Sequence, residues 1–488
     1  MAAASVSRVA AQDRSAGSVA LTDVQVVDVV LGQVVPRQTV IISGNRIRAV
    51  GKVEDIPVPN GATVIEGSGR YVIPGLWDMH THSFDLTGGY ELKHQFALLV
   101  ANGVLGVRDV GASGLPLGEI DGIRGEVLAG DRMGPRIIAA GPLVDGPEQR
   151  HVFSAVPEDP NHARVVVDSL AAAGADFIKV YANLRPDVYR AITDQANRRG
   201  IPFAGHLPFR IRLREAVDRG QRSFEHFHSV RWACSDAGDE LPQAYVQWDR
   251  AVADGRDTVA ASTALNEVSD RLKTTYDDSA CRSQLAYMAR GGVALVPTMV
   301  EYQKDLRRLD ELERDPRLRY VLPATRDWWN EEMWGASRPT SAELEALHAE
   351  LEPVRRMHER ETALIPLIAE SGVLLLAGTD INNEFTYPGF SLHDELAAFV
   401  DAGLSPTEAL RTATFNPAVF LEATDSLGSV SPGKLADLVL LEANPLRDIG
   451  NTRGIVAVVV NGRYLESEQL DQMLLQVAED VAVARESR

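Results

Sequence analysis

The sequence predicts an α/β protein: a (β/α)8 barrel of the TIM-barrel type, with a small β-sandwich domain and helical insertions. Three observations support this fold class. The middle of the chain alternates apolar strands with helical stretches, both ends share short β-rich segments, and two connections in the middle are too long to be plain loops. Alternation of strands with helices is typical of parallel β/α units.

The barrel is predicted over residues 72–424. Its strands are expected at residues 72–77, 104–110, 136–144, 177–182, 202–206, 223–227, 293–298 and 373–379. Helical patterns fill the gaps between these strands. Eight such units are enough to close a barrel, and barrel enzymes carry their chemistry on the C-terminal face, where the strands end. Side chains at strand ends are therefore the first candidates for a functional site.

The two ends of the chain, residues 19–71 and 425–475, are predicted to form one composite β-sandwich. Residues 1–18 are expected to be a disordered tail or the remnant of a secretory leader. Both alternatives stay open, because the segment resembles the end of a leader but lacks its charged start and apolar middle. Residues 476–488 are expected to form a C-terminal helix or tail.

The two long connections cover about residues 230–290 and 301–372, and both should lie over the C-terminal barrel face. They carry most of the tryptophans: Trp232, Trp248, Trp328, Trp329 and Trp334. One interpretation is a lid that shapes a substrate pocket and excludes water. The alternative is a helical subdomain whose tryptophans form its own core.

The charge balance limits the partners. The chain of 488 residues has a formal net charge of -19, which argues against nucleic acid and anionic membrane surfaces, since both attract basic faces. No apolar run reaches the roughly 18 residues that a membrane span needs. The expected partner is a small-molecule substrate, and a homo-oligomer is compatible with the sequence.

A pair of histidines, His80 and His82, follows the first apolar strand segment. Residues two apart on a strand point to the same side, so both imidazoles face one spot. Neutral imidazole is a common zinc ligand. Such a pair also arises by chance or in core packing, so its meaning depends on the other strand ends.

Further metal-ligand types stand at other strand ends: Lys179 in the fourth strand, His206 after the fifth, His226 after the sixth and Asp380 after the eighth. His228 shares the face of His226 and is a rival ligand. A buried ammonium is costly unless its charge is paired or changed. A buried neutral amine can take up CO2 and become an anionic carbamate, whereas a lysine facing the surface is the ordinary alternative.

With this ligand pattern, two late motifs make the chain resemble the amidohydrolase superfamily, in its prolidase-like and imidazolonepropionase-like branch. Asn416-Pro417-Ala418 follows Thr412-Ala413-Thr414, and Gly428-Ser429-Val430 leads into the segment Pro432-Gly433-Lys434. The second motif marks the return of the chain into the sandwich in this family. The resemblance covers nearly the whole chain.

The binuclear subtype of that family implies six metal ligands: His80, His82, Lys179, His206, His226 and Asp380. The histidine pair and the aspartate would hold the more buried ion, and the other two histidines the more exposed one. The lysine, as a carbamate formed with CO2, would bridge both ions together with a hydroxide. Zinc is favoured by ligand softness. The aspartate would also accept the hydroxide proton and pass it to the leaving amine.

Other candidates follow less directly. Many relatives carry a histidine after the third strand that polarises the substrate carbonyl, and His151 is assigned this catalytic role, with a surface loop histidine as the alternative. Tyr181 and Tyr302 are candidate substrate-binding residues, although core packing is equally open for Tyr181. Arg108 is expected to form a structural pair with Asp109 or a neighbour.

Cys234 and Cys281 do not have the spacing of a metal site. Together with the segment that begins at Asp315, they look like features of exported relatives in this branch. The resemblance therefore implies a periplasmic or secreted enzyme in which the two cysteines are bridged. A cytoplasmic protein with reduced thiols is the alternative.

Three functions are compatible with these observations. The first is a binuclear metal-dependent amidohydrolase that cleaves the C–N amide bond of a dipeptide such as Xaa-Pro, or of an N-acyl amino acid. The second is a mononuclear cyclic-amide hydrolase of the imidazolonepropionase type, which has no need of a bridging Lys179. The third is a non-catalytic barrel that binds a ligand. The substrate class follows from family analogy alone, because one fold hosts many substrates.

Overall fold

A computed structural model describes residues 17–85, 90–111, 114–255, 258–302, 306–335 and 339–488 of the chain. Residues 1–16 of the predicted tail or leader remnant lie outside the described residues. The described part is an α/β structure with parallel sheets, as the sequence predicts.

The strands are, in chain order, β1 (Val19–Asp28), β2 (Gln33–Ser43), β3 (Arg46–Lys52), β4 (Thr63–Glu66), β5 (Tyr71–Pro74), β6 (Leu76–Thr81), β7 (Val104–Asp109), β8 (Arg136–Ala139), β9 (Ile178–Val180), β10 (Phe203–Gly205), β11 (Ser223–Glu225), β12 (Ala294–Val296), β13 (Leu374–Leu375), β14 (Leu438–Leu441), β15 (Ile455–Val460) and β16 (Arg463–Glu466).

The α-helices are α1 (Leu92–Ala101), α2 (Leu117–Ala129), α3 (Pro160–Ala173), α4 (Pro186–Arg199), α5 (Leu213–Asp218), α6 (His228–Ala233), α7 (Leu241–Ala253), α8 (Thr258–Thr274), α9 (Asp278–Arg290), α10 (Leu309–Leu312), α11 (Pro323–Trp334), α12 (Ser341–Glu350), α13 (Glu352–Ala363), α14 (Ile365–Glu370), α15 (Phe390–Asp401), α16 (Pro406–Thr412), α17 (Phe415–Phe420) and α18 (Ser467–Glu486). Short 3-10 helices cover Met299–Tyr302, Pro316–Tyr320 and Ile449–Arg453. None of the described helices is long and apolar enough to cross a membrane.

Both ends of the chain contribute to one eight-stranded sheet. Its order is β16-β15-β14-β5-β1-β2-β3, and β4 pairs with β1. The late strand β14 lies antiparallel to the early strand β5, with Leu438 opposite Pro74. Side chains from both ends pack together in its core, among them Leu21, Val40, Ile42, Leu438 and Val459. The two chain ends therefore share one sheet, and its description as a sandwich stays a prediction.

The middle of the chain forms two parallel sheets, β6-β7-β8 and β13-β12-β11-β10-β9. Isolated parallel bridges join them, between Val144 and Val180 at one edge and between Thr81 and Ile381 at the other. All residues of β7, β9, β10, β11 and β12 are buried, as expected for parallel strands covered on both faces. Closure of these strands into an eight-stranded barrel stays a prediction.

The first predicted barrel strand, residues 72–77, is wrong in its boundaries. The apolar run divides at Gly75: β5 belongs to the end sheet, and β6 begins the parallel sheet. A Cβ atom on Gly75 would lie 2.8 Å from a side-chain carbon of Leu105, so the chain passes too close to β7 for a larger residue. The run is apolar on both sides of this division, and its hydrophobicity therefore shows no boundary.

The two long connections are helical. The first contains α6 to α9, and the second contains α10 to α14. A disulfide between Cys234, at the end of α6, and Cys281, in α9, ties the first insertion together, which confirms the predicted bridge. Both cysteines are buried.

Replacing both cysteines by alanine should destabilise the protein by about 2–4 kcal/mol, because the bridge closes a long loop and restricts the unfolded chain. The two cysteines are 47 residues apart in sequence. Denaturant unfolding of the oxidised wild type and of the double variant measures the difference. Reduced wild type is the matched control and should unfold like the variant. Two free thiols in the oxidised wild type, found by mass spectrometry under non-reducing conditions, would contradict the bridge.

Candidate metal centre

One cavity of about 480 Å3 lies at the ends of the parallel strands. All six predicted metal ligands line it, and we call them the strand-end cluster: His80, His82, Lys179, His206, His226 and Asp380. A larger surface groove, of about 790 Å3, is lined by charged side chains without any histidine. The smaller cavity is therefore the better candidate for metal chemistry.

Three members of the cluster form a tight group. The ligand atoms of His80, His82 and Asp380 all lie within 4.8 Å of one another. The Nε2 atoms of His80 and His82 are 3.3 Å and 3.0 Å from Oδ1 of Asp380. The histidines come from the end of β6, where alternation places both on one side, and the aspartate follows β13. Two imidazoles and a carboxylate are a ligand set that suits zinc.

The remaining histidines lie beside this group. The ring of His226 is 4.8 Å from the ring of His80 and 5.0 Å from that of His206. The Nε2 atom of His226 is 3.8 Å from Oδ2 of Asp380. The ring of His228, the predicted rival ligand, is 6.0 Å from that of His226 and belongs to helix α6 rather than to a strand end.

Strained backbone conformations direct two side chains of the cluster, His226 and Asp380, toward the cavity. His226, Thr298 and Asp380 have φ values of 62°, 51° and 56°, in the left-handed region that non-glycine residues rarely adopt. Regular strand alternation would place Glu225 and His226 on opposite sides. The left-handed turn at His226 interrupts this alternation, so the imidazole reaches the cavity. Such strain costs of order 1–3 kcal/mol per residue and is concentrated at functional sites.

One buried polar atom of the cluster, Nζ of Lys179, has no hydrogen-bond partner among the described residues, and Oδ1 of Asp380 faces the Nε2 atoms of His80 and His82. Burying an amine or a carboxylate oxygen away from water costs free energy unless it gains a partner. Lys179 lies in the middle of β9 with 1% of its surface exposed. A cation held together with the neighbouring imidazoles would give these groups a partner. The residues present therefore fit a bound metal.

The electrostatics also suit ligands. Burial lowers the pKa of Lys179 to about 8, against the attraction of Glu225, so a neutral amine is accessible. Burial and the positive neighbours hold the pKa values of His206 and His226 well below the ordinary value, although Asp380 opposes this at His226. Although burial opposes ionisation, His80 keeps the pKa of Asp380 well below its usual range.

In three of the imidazoles, the Nδ1 nitrogen contacts a partner on the side of the ring that faces away from the cavity. Nδ1 of His80 is 2.8 Å from Glu225 Oε2, and Nδ1 of His82 donates to the Gly111 carbonyl at 2.7 Å. Nδ1 of His226 is 2.7 Å from the hydroxyl of Thr298. These contacts leave Nε2 of each ring directed at the cluster, as metal-ligating histidines require.

Glu225 and Thr298 were not among the sequence candidates. All residues of strand β11 are buried, and a carboxylate in such a strand, next to His226, is the signal that points to Glu225. Nη2 of Arg108 donates to both oxygens of Glu225 at 2.9 Å. The structural partner expected for Arg108 is therefore this glutamate rather than Asp109, because the arginine side chain crosses from β7 to β11.

The weaker candidates also lie at the cavity. Nε2 of His151 is 3.2 Å from the hydroxyl of Tyr181, and the ring of Tyr181 stacks on His206 with centroids 4.1 Å apart. Burial lowers the pKa of His151 to about 4, so its ring is neutral at physiological pH. The ring of Tyr302 stacks on His358, at 4.2 Å, on the wall formed by the second insertion.

The tryptophans of the insertions divide between the two predicted roles. Trp328 lines the cavity together with Val354 and Met357 of helix α13, as a lid residue would. Trp329 is buried in a separate apolar cluster with Tyr90 and other side chains, as a core residue would be. One face of helix α11 thus covers the site while the other stabilises the insertion.

Comparisons with known proteins agree with this site. The model of the amidohydrolase family matches residues 266–465. An adenine deaminase of Ligilactobacillus salivarius is 33% identical over 82 residues, and adenine deaminase 2 of Jannaschia sp. is 46% identical over 70 residues. These matches span only 14% and 11% of the lengths of those two proteins, and 16% and 14% of this chain.

Solved structures resemble the chain over almost its whole length. Bottromycin amidohydrolase matches with a TM-score of 0.70 and 25% identity, over 98% of this chain and 93% of that chain. A protein named as a prolidase from Bifidobacterium longum matches with a TM-score of 0.65 and 23% identity, over 95% and 100%. A Xaa-Pro dipeptidase matches with a TM-score of 0.64 and 20% identity, over 92% and 100%.

The prolidase and the dipeptidase, at these identities, show the shared α/β architecture alone. The family model covers the late motifs and Asp380, and bottromycin amidohydrolase matches nearly the whole chain. Together they confirm the resemblance to the amidohydrolase superfamily that the sequence indicates.

Proposed function

We propose that the chain is a binuclear metal-dependent amidohydrolase that cleaves a C–N amide bond in a small-molecule substrate. The observation that carries this proposal is the convergence of the whole strand-end cluster on one cavity, with the amine of Lys179 buried in it. The match to the amidohydrolase family model supports a hydrolase acting on C–N bonds. The likeness to a prolidase and to a Xaa-Pro dipeptidase favours dipeptides or N-acyl amino acids as substrates.

In this proposal the tight group of His80, His82 and Asp380 holds one ion, and His206 and His226 hold a second. Lys179, as a carbamate formed with CO2, is the ligand common to both. Zinc is the expected metal, because imidazole and carboxylate ligands suit it. Isolated bridges already join the edges of the two parallel sheets, which supports a closed barrel beneath the site.

Such ions, when bound, would polarise the substrate carbonyl and lower the pKa of a water molecule. The side chains of the protein supply the remaining functions. Asp380 stays ionised and lines the cavity, so it can accept the proton of the attacking water and pass it to the leaving nitrogen. The neutral His151 and the adjacent Tyr181 can donate hydrogen bonds to a substrate oxygen.

A mononuclear hydrolase of cyclic amides is the second candidate. It is favoured by one observation: within the described residues, the group of His, Cys, Asp and Glu side chains close enough to hold an ion contains only His80, His82 and Asp380. A single ion would not need Lys179. The effect of replacing Lys179 on the metal content therefore discriminates between the two functions.

Lys179→Ala should lower the zinc content from about two ions per chain to one or fewer, because the common ligand is lost. Lys434→Ala is the matched control: this lysine is half-buried but donates to the carbonyl of Leu427, away from the cavity. Metal analysis of the purified, dialysed proteins gives the stoichiometry. One ion per chain in both the wild type and the Lys179 variant would favour the mononuclear enzyme.

Zinc-loaded protein should hydrolyse at least one class among Xaa-Pro dipeptides, N-acyl amino acids and cyclic imides. Asp380→Asn should lower kcat by roughly 10²–10⁴-fold, because proton transfer at this position is lost. Product release followed by mass spectrometry measures both, with chelator-treated wild type as the inactive control. Turnover of the Asp380 variant at the wild-type rate would contradict the proton-transfer role.

We also propose that the protein is exported, because a disulfide such as Cys234–Cys281 persists in oxidising compartments. Fractionation of the native cells should find the oxidised protein outside the cytoplasm. Recovery of the reduced protein from the cytoplasmic fraction would contradict export.

A further inference from the structure

A charged hydrogen-bond network is buried next to the strand-end cluster. Nη2 of Arg108 donates to both carboxylate oxygens of Glu225 at 2.9 Å, and Nη1 donates to the hydroxyl of Ser223 at 3.0 Å. The same hydroxyl donates to Oε1 of Glu225 at 2.7 Å. Each of these three side chains has at most 1% of its surface exposed.

The network reaches His80 from two directions. Oε2 of Glu225 lies 2.8 Å from Nδ1 of the imidazole. Nε of Arg108 donates to the backbone carbonyl of Met79, the preceding residue, at 2.6 Å. The ring and the adjacent backbone are therefore fixed by one connected set of side chains from β7 and β11.

An ionised carboxylate only accepts hydrogen bonds, so Glu225 requires the proton of His80 to sit on Nδ1. The lone pair of Nε2 then faces Asp380, 3.3 Å away. Arg108 is the cation that a carboxylate buried in this position requires as a partner, since its Nη2 atom lies 2.9 Å from both oxygens of Glu225. The partners of His82 and His226, a carbonyl and a hydroxyl, are neutral groups.

A buried ion pair is a poor source of stability, since the cost of removing both charges from water is comparable with their attraction. A role in positioning the imidazole of His80 explains why the ion pair of Arg108 and Glu225 is buried at this place. We propose that Arg108 and Glu225 are positioning residues that hold His80 in one tautomer and one orientation for metal binding. This inference rests on the proposed metal centre.

Glu225→Gln tests the inference, because an amide can either accept from His80 or donate to it and no longer specifies the tautomer. We expect the Kd of metal-free protein for zinc to rise by about 10–100-fold, measured by competition with a chromogenic chelator. Asp176→Asn is the matched control. Asp176 is buried and paired with Arg124 at 2.6 Å, and it is not among the residues that line the cavity of the strand-end cluster. This control should keep the wild-type Kd.

Two further variants cover the case in which Glu225→Gln does not fold. Ser223→Ala removes one contact of Glu225 and one of Arg108 with little loss of volume, and Arg108→Lys keeps the charge but loses the two-pronged geometry. Both should raise the zinc Kd, and both should change the electronic spectrum of the cobalt-substituted protein. A change in stability alone would leave that spectrum unaltered.

The possible outcomes separate the two proposals. Wild-type zinc affinity in the folded Glu225, Ser223 and Arg108 variants overturns the positioning role while leaving the metal centre intact. An equal loss of affinity in the Asp176 control also overturns it, since any broken ion pair would then suffice. A wild-type protein that takes up no zinc overturns the metal centre, and the positioning role with it.

Discussion

The burial of one amine is the constraint on which the site depends. Lys179 stands in the middle of β9, among fully buried neighbours, and its Nζ has no hydrogen-bond partner among the described residues. A charged ammonium in such a place would be costly, and its lowered pKa of about 8 expresses that cost. In the proposed binuclear centre the arrangement becomes favourable, because the amine carries a carbamate that binds cations and the imidazoles around the cavity supply the other ligands.

The fold brings these groups together by ending parallel strands at one place. β6, β9, β10, β11 and β13 each contribute or precede a member of the strand-end cluster. The strands end just before these residues, and His226 and Asp380 adopt left-handed backbone conformations that direct them at the cavity. The helical insertions then cover the opening, with Trp328 and Met357 on the inner wall. Strain at the rim is thus supported by a rigid, fully buried set of strands beneath it.

Much of this arrangement could be predicted from the sequence, because it follows local rules. Alternation along a strand pairs His80 with His82, and polar residues within or just after an apolar run identify Lys179, His206 and Asp380. The division at Gly75 could not be predicted, since it results from the close approach of β7 and not from a change in hydrophobicity.

The network around His80 was missed for a different reason. Arg108 and Glu225 are 117 residues apart, and each by itself is an ordinary charged residue in an apolar strand. Their relationship exists only once the fold brings β7 and β11, which belong to different sheets, close enough for the two side chains to meet. The left-handed conformation of His226 was equally hidden, because no glycine marks it in the sequence. Long-range contacts and strain are properties of the packed structure.

A crystal structure of the zinc-loaded protein, with anomalous data collected at the zinc edge, tests the central claim most directly. The account predicts two anomalous peaks, about 3.5–4 Å apart, one among His80, His82 and Asp380 and one beside His206 and His226. Electron density should extend beyond Nζ of Lys179 and join both peaks. A single peak, with an unmodified Lys179 amine that contacts no metal, would contradict the binuclear centre.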